Sequence, residues 1–241
     1  MSRFHTTRWS LVLDARGTSG ESARALDELC RVYRPPVLAY VRRFSGGDAQ
    51  AEDLTQAFFE QLLLNRTHDA ADPQRGRFRV FLLITLKRFL IKQSVQAQTI
   101  KRGGGRATYS LESEEEFGAV AIDPDTPDAA FERGWAAVVV RQAIQRLQEE
   151  AAAANKLELF RALRGFLLES PEADDYARLA VSLGLRRNTL AVAIHRLRQR
   201  LRELVREELA DTVAEAEHLE QEVSALQNAL GGPARRVESA S

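Results

Sequence analysis

Tyr176-Ala-Arg-Leu-Ala180-Val-Ser-Leu-Gly184-Leu-Arg-Arg-Asn-Thr-Leu190 reads as two helices joined by a glycine turn. Ala180 is small enough to let the helices cross closely, and Gly184 can take the turn. Leu190 and Ile194 supply the apolar side that locks the second helix onto the first. From Arg186 to Arg206 the chain then places seven Arg against the single Glu203. A merely solvated helix usually mixes in acids at i,i+4. An arginine run after a helix-turn-helix suits DNA, because Arg pairs phosphates and reaches guanine edges.

Charge elsewhere is sorted in the same way. The 34 basic and 34 acidic residues cancel overall, yet Gln74 to Arg106 holds nine Lys or Arg and no acid. Ala107 to Gly134 has eight acids and one base, and Glu207 to Leu230 has seven acids and no base. Two basic surfaces separated by acidic chain predict two nucleic-acid contacts joined by a segment that phosphates repel.

A chain of 241 residues that is 44% hydrophobic, with seven Pro, suits two small helical domains. Apolar residues recur at helical spacing almost throughout and no alternating β-branched run is present, so the expected fold class is all-α. A first helix is predicted over 23–44 with a kink or break at Pro35-Pro36, a second over 51–64, and a third over 77–98 after a polar loop. Gly103-Gly104-Gly105, the acids 114–116, Pro124 and Pro127 mark a flexible tether. A second helical set is predicted over 131–153, 156–168, 174–182 and 187–209. Beyond it Leu209, Ala216, Val223 and Leu230 repeat every seven residues, with Leu219 and Leu226 between, as in an acidic coiled-coil-like helix.

Cys30 is the only cysteine, and His5, His68, His195 and His218 are scattered, so no metal or other cofactor is expected. The triple glycine lacks the following Gly-Lys-Ser/Thr of a phosphate loop, and no nucleophile-and-base motif is evident, so the reading is not of an enzyme. Neither a signal peptide nor a membrane span is apparent, which predicts a cytoplasmic protein without a membrane partner.

Two further segments carry a resemblance. Residues 51–63, Ala-Glu-Asp-Leu-Thr-Gln-Ala-Phe-Phe-Glu-Gln-Leu-Leu, resemble the core-polymerase-binding helix of bacterial sigma factors, and residues 72–92 resemble the next sigma helix with its preceding loop. Thr189 to Arg198 is similar to the family's recognition helix, and the order suits the small sigma factors of the extracytoplasmic-function group. The resemblance implies a sigma domain 2-like unit over 1–100, a linker over 101–129, a sigma domain 4-like helix-turn-helix unit over 130–209, and an acidic helix and disordered tail over 210–241. It implies promoter-specific initiation of transcription with core RNA polymerase and promoter DNA as partners. Asp48, Glu52, Asp53, Gln56 and Glu60 would meet the polymerase. Arg75, Arg77, Phe78, Arg79, Lys87, Arg88 and Lys92 would hold and melt the minus-ten element, although Phe78 shares a core-like stripe with Phe81 and Phe89. Arg186, Arg187, Asn188, Thr189, Val192, Ala193, Arg196, Arg198 and Arg200 would read the minus-35 element.

Departures from the pattern shape the expectation. Ala191, Val192 and Ala193 leave only methyl contacts in the middle of the recognition helix, and Gln50 stands where the family often has Asp, which thins the acidic patch. Thr55 lies one turn from that patch, where a phosphate from a Ser/Thr kinase would restore negative charge. An anti-sigma factor is another partner class left open. The acidic tail helix could pair with a partner, self-associate, or fold back on a basic DNA face. The rival readings are a conventional helix-turn-helix regulator, with no need for the acidic helix 51–64, and a helical adaptor working through its C-terminal seam.

Overall fold

In the computed structural model, which describes residues 9–101, 126–210, 212 and 218–231, the chain is all-α and has no strand among the described residues. The helices are α1 (Trp9–Asp14), α2 (Gly20–Ser45), α3 (Asp48–Leu64), α4 (Phe78–Lys101), α5 (Pro127–Ala153), α6 (Leu157–Leu163), α7 (Ala173–Leu183), α8 (Arg187–Ala210) and α9 (Leu219–Gly231). Short 3₁₀ turns at Thr67–Ala70, Pro73–Arg75 and Arg164–Phe166 complete the described elements. The predicted glycine run and acid run of the tether, and the tail beyond α9, lie outside the described residues.

By contact the chain divides between Ala136 and Ala137. An N-terminal unit holds α1 to α4, α5 as far as Ala136, and α9. A C-terminal unit holds α5 from Ala137 with α6 to α8. The sequence reading began the second domain at 130 and set the acidic helix apart. Instead, Ala129, Phe131, Trp135 and Ala136 are buried with the first unit's residues, and α9 counts with that unit too.

α2 runs unbroken through Pro35 and Pro36, where the sequence predicted a kink or break. A proline inside a helix costs about 3 kcal/mol. Around these two, α2 buries Leu29, Val32, Tyr33, Val37, Leu38, Tyr40 and Val41, each contributing about 1.5 to 3 kcal/mol for a large side chain, so burial wins. Ser19 caps its start by accepting from Ser22 N at 3.1 Å, and Gly46 at φ 70° ends it.

α1, which the sequence reading did not anticipate, packs Trp9 edge-on against Phe78 at 6.1 Å, and Tyr33 meets Phe78 at 5.3 Å. His68 is buried, with its Nε2 3.2 Å from the Ala15 carbonyl, and Arg16 and Arg66 donate to the Ala71 and Arg16 carbonyls. These contacts fix the loop that leads into α4.

In the C-terminal unit, Ala143, Leu147 and Ala151 of α5 pack with Phe160, Leu167, Leu201 and Leu204. A second cluster joins Leu163, Leu179, Leu190 and Ile194, with Ala180 against it. Gly184, at φ 65°, makes the turn between α7 and α8, and Glu172 with Asp175 forms a capping box at the start of α7.

Candidate nucleic-acid interface

Asp48, Glu52, Gln56 and Glu60 recur every four residues on α3 and therefore form one ridge, with Asp53 exposed beside it. Glu52 pairs with Arg34 at 2.6 Å and Arg42 at 3.3 Å, Arg42 also reaches Asp48 at 3.1 Å, and Gln56 donates to Glu60 at 2.9 Å. Every charged partner here is at least 42% exposed, and such surface pairs contribute only about 0 to 1 kcal/mol. A partner's cations can replace them.

Thr55 is a correction. The sequence places its side chain by the acidic patch, open to a kinase, but it is 0% exposed, and its Oγ1 is buried without a hydrogen-bond partner. Its place on the inner face follows from Ala51, Phe58 and Leu62, which bury on the same side. In this conformation the hydroxyl cannot be phosphorylated.

The residues of α4 and its preceding turn expected from sequence to meet DNA separate into three groups. Phe78 and Arg79 are buried, at 3% and 5% exposure, so with α9 in place neither is open to the ligand contact expected from sequence. Phe78 belongs to the aromatic cluster with Trp9, Tyr33 and Phe81. Arg79 lies 3.9 Å over the Trp135 ring and pairs with Glu132 at 2.9 Å and Glu222 at 3.1 Å. Burial raises the Glu132 carboxyl above the usual range, while the Arg79 charge opposes it.

The second group is accessible but paired. Arg77 reaches Glu222 at 2.6 Å and Gln221 at 3.0 Å, and burial pulls its guanidinium below the usual value. Lys87 pairs with Asp128 at 2.7 Å. The third group, Arg88 and Lys92, is exposed. It borders a cleft of about 170 Å³ lined by apolar Phe58, Leu62 and Phe89 and by polar Gln61, Thr67 and Thr85. The side chain of Arg75 lies outside the described residues.

Arg186 just before α8 and Arg187, Asn188, Thr189, Val192 and Arg196 on it are exposed, while Ala193 packs against the core cluster and offers at most an edge. Arg187 lies 5.3 Å over the Tyr176 ring, which orients its guanidinium at the helix start. Arg198 and Arg200, read from sequence as DNA contacts, serve the fold instead. Arg198 donates to the Phe166 carbonyl at 2.9 Å and to the Glu169 carbonyl, and so ties down the chain after α6. Arg200 gathers Glu150 at 2.7 Å, Glu203 at 2.9 Å and Glu207 at 3.1 Å, and these hydrogen bonds raise its guanidinium further above its usual value.

His195 and Gln199 are exposed on α8 alongside Val192 and Arg196, and the sequence reading assigned them no role. Their spacing, His195 at i+7 from Asn188 and i+3 from Val192 and Gln199 at i+7 from Val192, was the available signal.

A family model described as sigma-70 region 2 matches residues 29–99. The match spans both segments of the N-terminal unit that resembled sigma-factor helices, and that part of the chain is similar to region 2 over its acidic ridge and its basic helix alike. Comparison with curated proteins and with solved structures found no match.

Proposed function

We propose, from the region 2 similarity, that this chain is a bacterial sigma factor of the extracytoplasmic-function type, which binds core RNA polymerase and directs initiation at particular promoters. The carrying observation is that residues 29–99 hold, in one matched segment, an acidic ridge suited to a protein partner and a basic helix suited to a polyanion. Asp48, Glu52, Asp53, Gln56 and Glu60 dock on the polymerase.

Arg88 and Lys92 hold the minus-ten strand beside the cleft, where an apolar floor with polar side chains suits an unstacked base. Arg77 joins them when its acidic partner departs. Arg186 just before α8 and Arg187, Asn188, Thr189, Val192 and Arg196 on it, joined by His195 and Gln199, face the minus-35 element. The protein has no catalysis of its own in this role and works in the cytoplasm. No helix among the described residues is long and apolar enough to cross a membrane.

The test is transcription in vitro with sigma-free core polymerase on a library of promoter fragments. Start sites that appear only when this protein is added support the proposal and define both promoter elements. DNA binding without core-dependent initiation, by the wild type or by a Glu222→Gln variant, would replace it with a conventional regulator.

A further inference from the structure

Glu222 joins the acidic C-terminal helix to the basic patch 143 residues earlier in the chain. One of its oxygens, Oε1, is shared by two guanidiniums, at 2.6 Å from Arg77 Nε and 3.1 Å from Arg79 Nη2. The carboxylate is 1% exposed. Two arginines converging on one anionic oxygen is an arrangement that phosphate groups also satisfy.

The cluster is richer in donors than in acceptors. Arg79 Nε is buried without a hydrogen-bond partner, although Glu132 and Glu222 both serve that side chain. A guanidinium carries five N–H donors, and a phosphate brings more acceptor oxygens than a carboxylate. With Glu222 absent, Arg77 and Arg79 would face the single charge of Glu132, and the resulting positive cluster would need another anion.

α9 is lightly held. It has 13 residues, and only Glu222 and Leu226 among them are buried. An isolated helix shorter than about 12 to 15 residues is marginal in water, so α9 depends on its packing contacts, that ion cluster and that leucine foremost among them, to stay folded. Its remaining acids and amides, including Glu220, Gln227 and Asn228, are exposed.

We propose that Arg77 and Arg79 form a phosphate-binding site for a nucleic-acid strand, and that α9 closes this site with Glu222 standing in for the phosphate. The inference rests on the reading above that α4 faces DNA, and it adds the control of that face by the chain's own C-terminal helix. Release of α9 frees Arg77 and lets a strand phosphate take the place of the Glu222 carboxylate.

The full chain is titrated against a fluorescein-labelled single-stranded DNA of random sequence, by anisotropy, across a salt series and without polymerase. Glu222→Gln keeps the side-chain shape and removes the charge. It is expected to bind at least about tenfold tighter than the wild type, with a salt slope steeper by about 0.7 to 1.4, one or two phosphate contacts on a single strand. The double variant R77A/E222Q is expected to lose that gain. An E222Q affinity equal to wild type, or a gain that survives R77A, overturns the proposal.

Leu226→Ala loosens α9 without touching a charge and decides the matter if E222Q loses its native tryptophan fluorescence: tighter binding supports the closure, and unchanged binding rejects it. Core-dependent initiation by the wild type alongside an E222Q that gains nothing sinks this inference alone. A gain in E222Q with no initiation by either protein sinks the sigma-factor reading and leaves the phosphate site standing.

Discussion

Gly134 of α5 rests on Pro36 of α2: a Cβ at Gly134 would stand 2.7 Å from the Pro36 Cα and 3.3 Å from both its Cβ and its N. The neighbour is backbone and a rigid ring, so nothing can rotate out of the way. The glycine is therefore what lets α5 approach α2 at the point where α2 carries its prolines.

Gly134→Ala should destabilise the N-terminal unit by about 1 to 3 kcal/mol, the usual cost of forcing an extra carbon into a packed contact. Trp9 and Trp135 are the protein's two tryptophans and both lie in that unit, so their fluorescence in a urea titration reads it directly. Gly165, with nothing within 4 Å of a Cβ, is the control, and Gly165→Ala should leave the same transition in place. A G134A midpoint equal to wild type would refute the close crossing.

Thr55 holds a buried hydroxyl with no hydrogen-bond partner. An unsatisfied buried polar group costs about 1 to 3 kcal/mol, so Thr55→Val should raise the urea midpoint. Thr55→Glu would bury a charge and should unfold the unit or lower its midpoint through a loss of several kcal/mol of stability. A folded T55E with wild-type stability would instead place residue 55 on the surface and revive phosphorylation there.

Arg196 and Arg198 sit two residues apart and should behave oppositely. Arg196→Ala removes an exposed cation and is expected to weaken DNA binding and lower the salt slope by about one, with little effect on stability. Arg198→Ala leaves the Phe166 and Glu169 carbonyls without their donor and should cost about 1 to 3 kcal/mol of stability. Duplex titration and circular-dichroism melting on both variants separate the roles, and a loss of DNA affinity in R198A at unchanged stability would reverse the assignment.

Cys30 should be a slow thiol. Burial, and then the negative charge of Asp27, push it up from 9.0 to about 11. The native protein then carries roughly a hundredfold less thiolate at pH 8 than an exposed cysteine does, and the thiolate is the reactive form. Alkylation followed by mass spectrometry should be slow in buffer and accelerate by about two orders of magnitude in urea. Equal rates in the two conditions would contradict the burial.

The helical units were legible because their signals are local. Gly184 in the middle of Tyr176 to Leu190 marked the α7–α8 turn without reference to any distant residue, and it takes φ 65° there. The apolar stripe of α4 and the four-residue repeat of Asp48, Glu52, Gln56 and Glu60 likewise follow from helical period alone. The Pro35-Pro36 pair misled because its cost is local while the burial that offsets it comes from other helices.

Local sequence alone determined the fold class, the helix order and where positive charge is concentrated, since propensity, turn chemistry and charge patterning act between near neighbours. Tertiary structure decided which of those charges remain available. Arg77 and Arg79 meet Glu222 143 or more residues away, Arg200 meets Glu150 50 residues away, and Arg198 meets a carbonyl 32 residues away. A run of arginines reads the same whether its partners are phosphates or the protein's own carboxylates, because pairing depends on which helices are brought within about 4 Å, and that is a property of the packed chain.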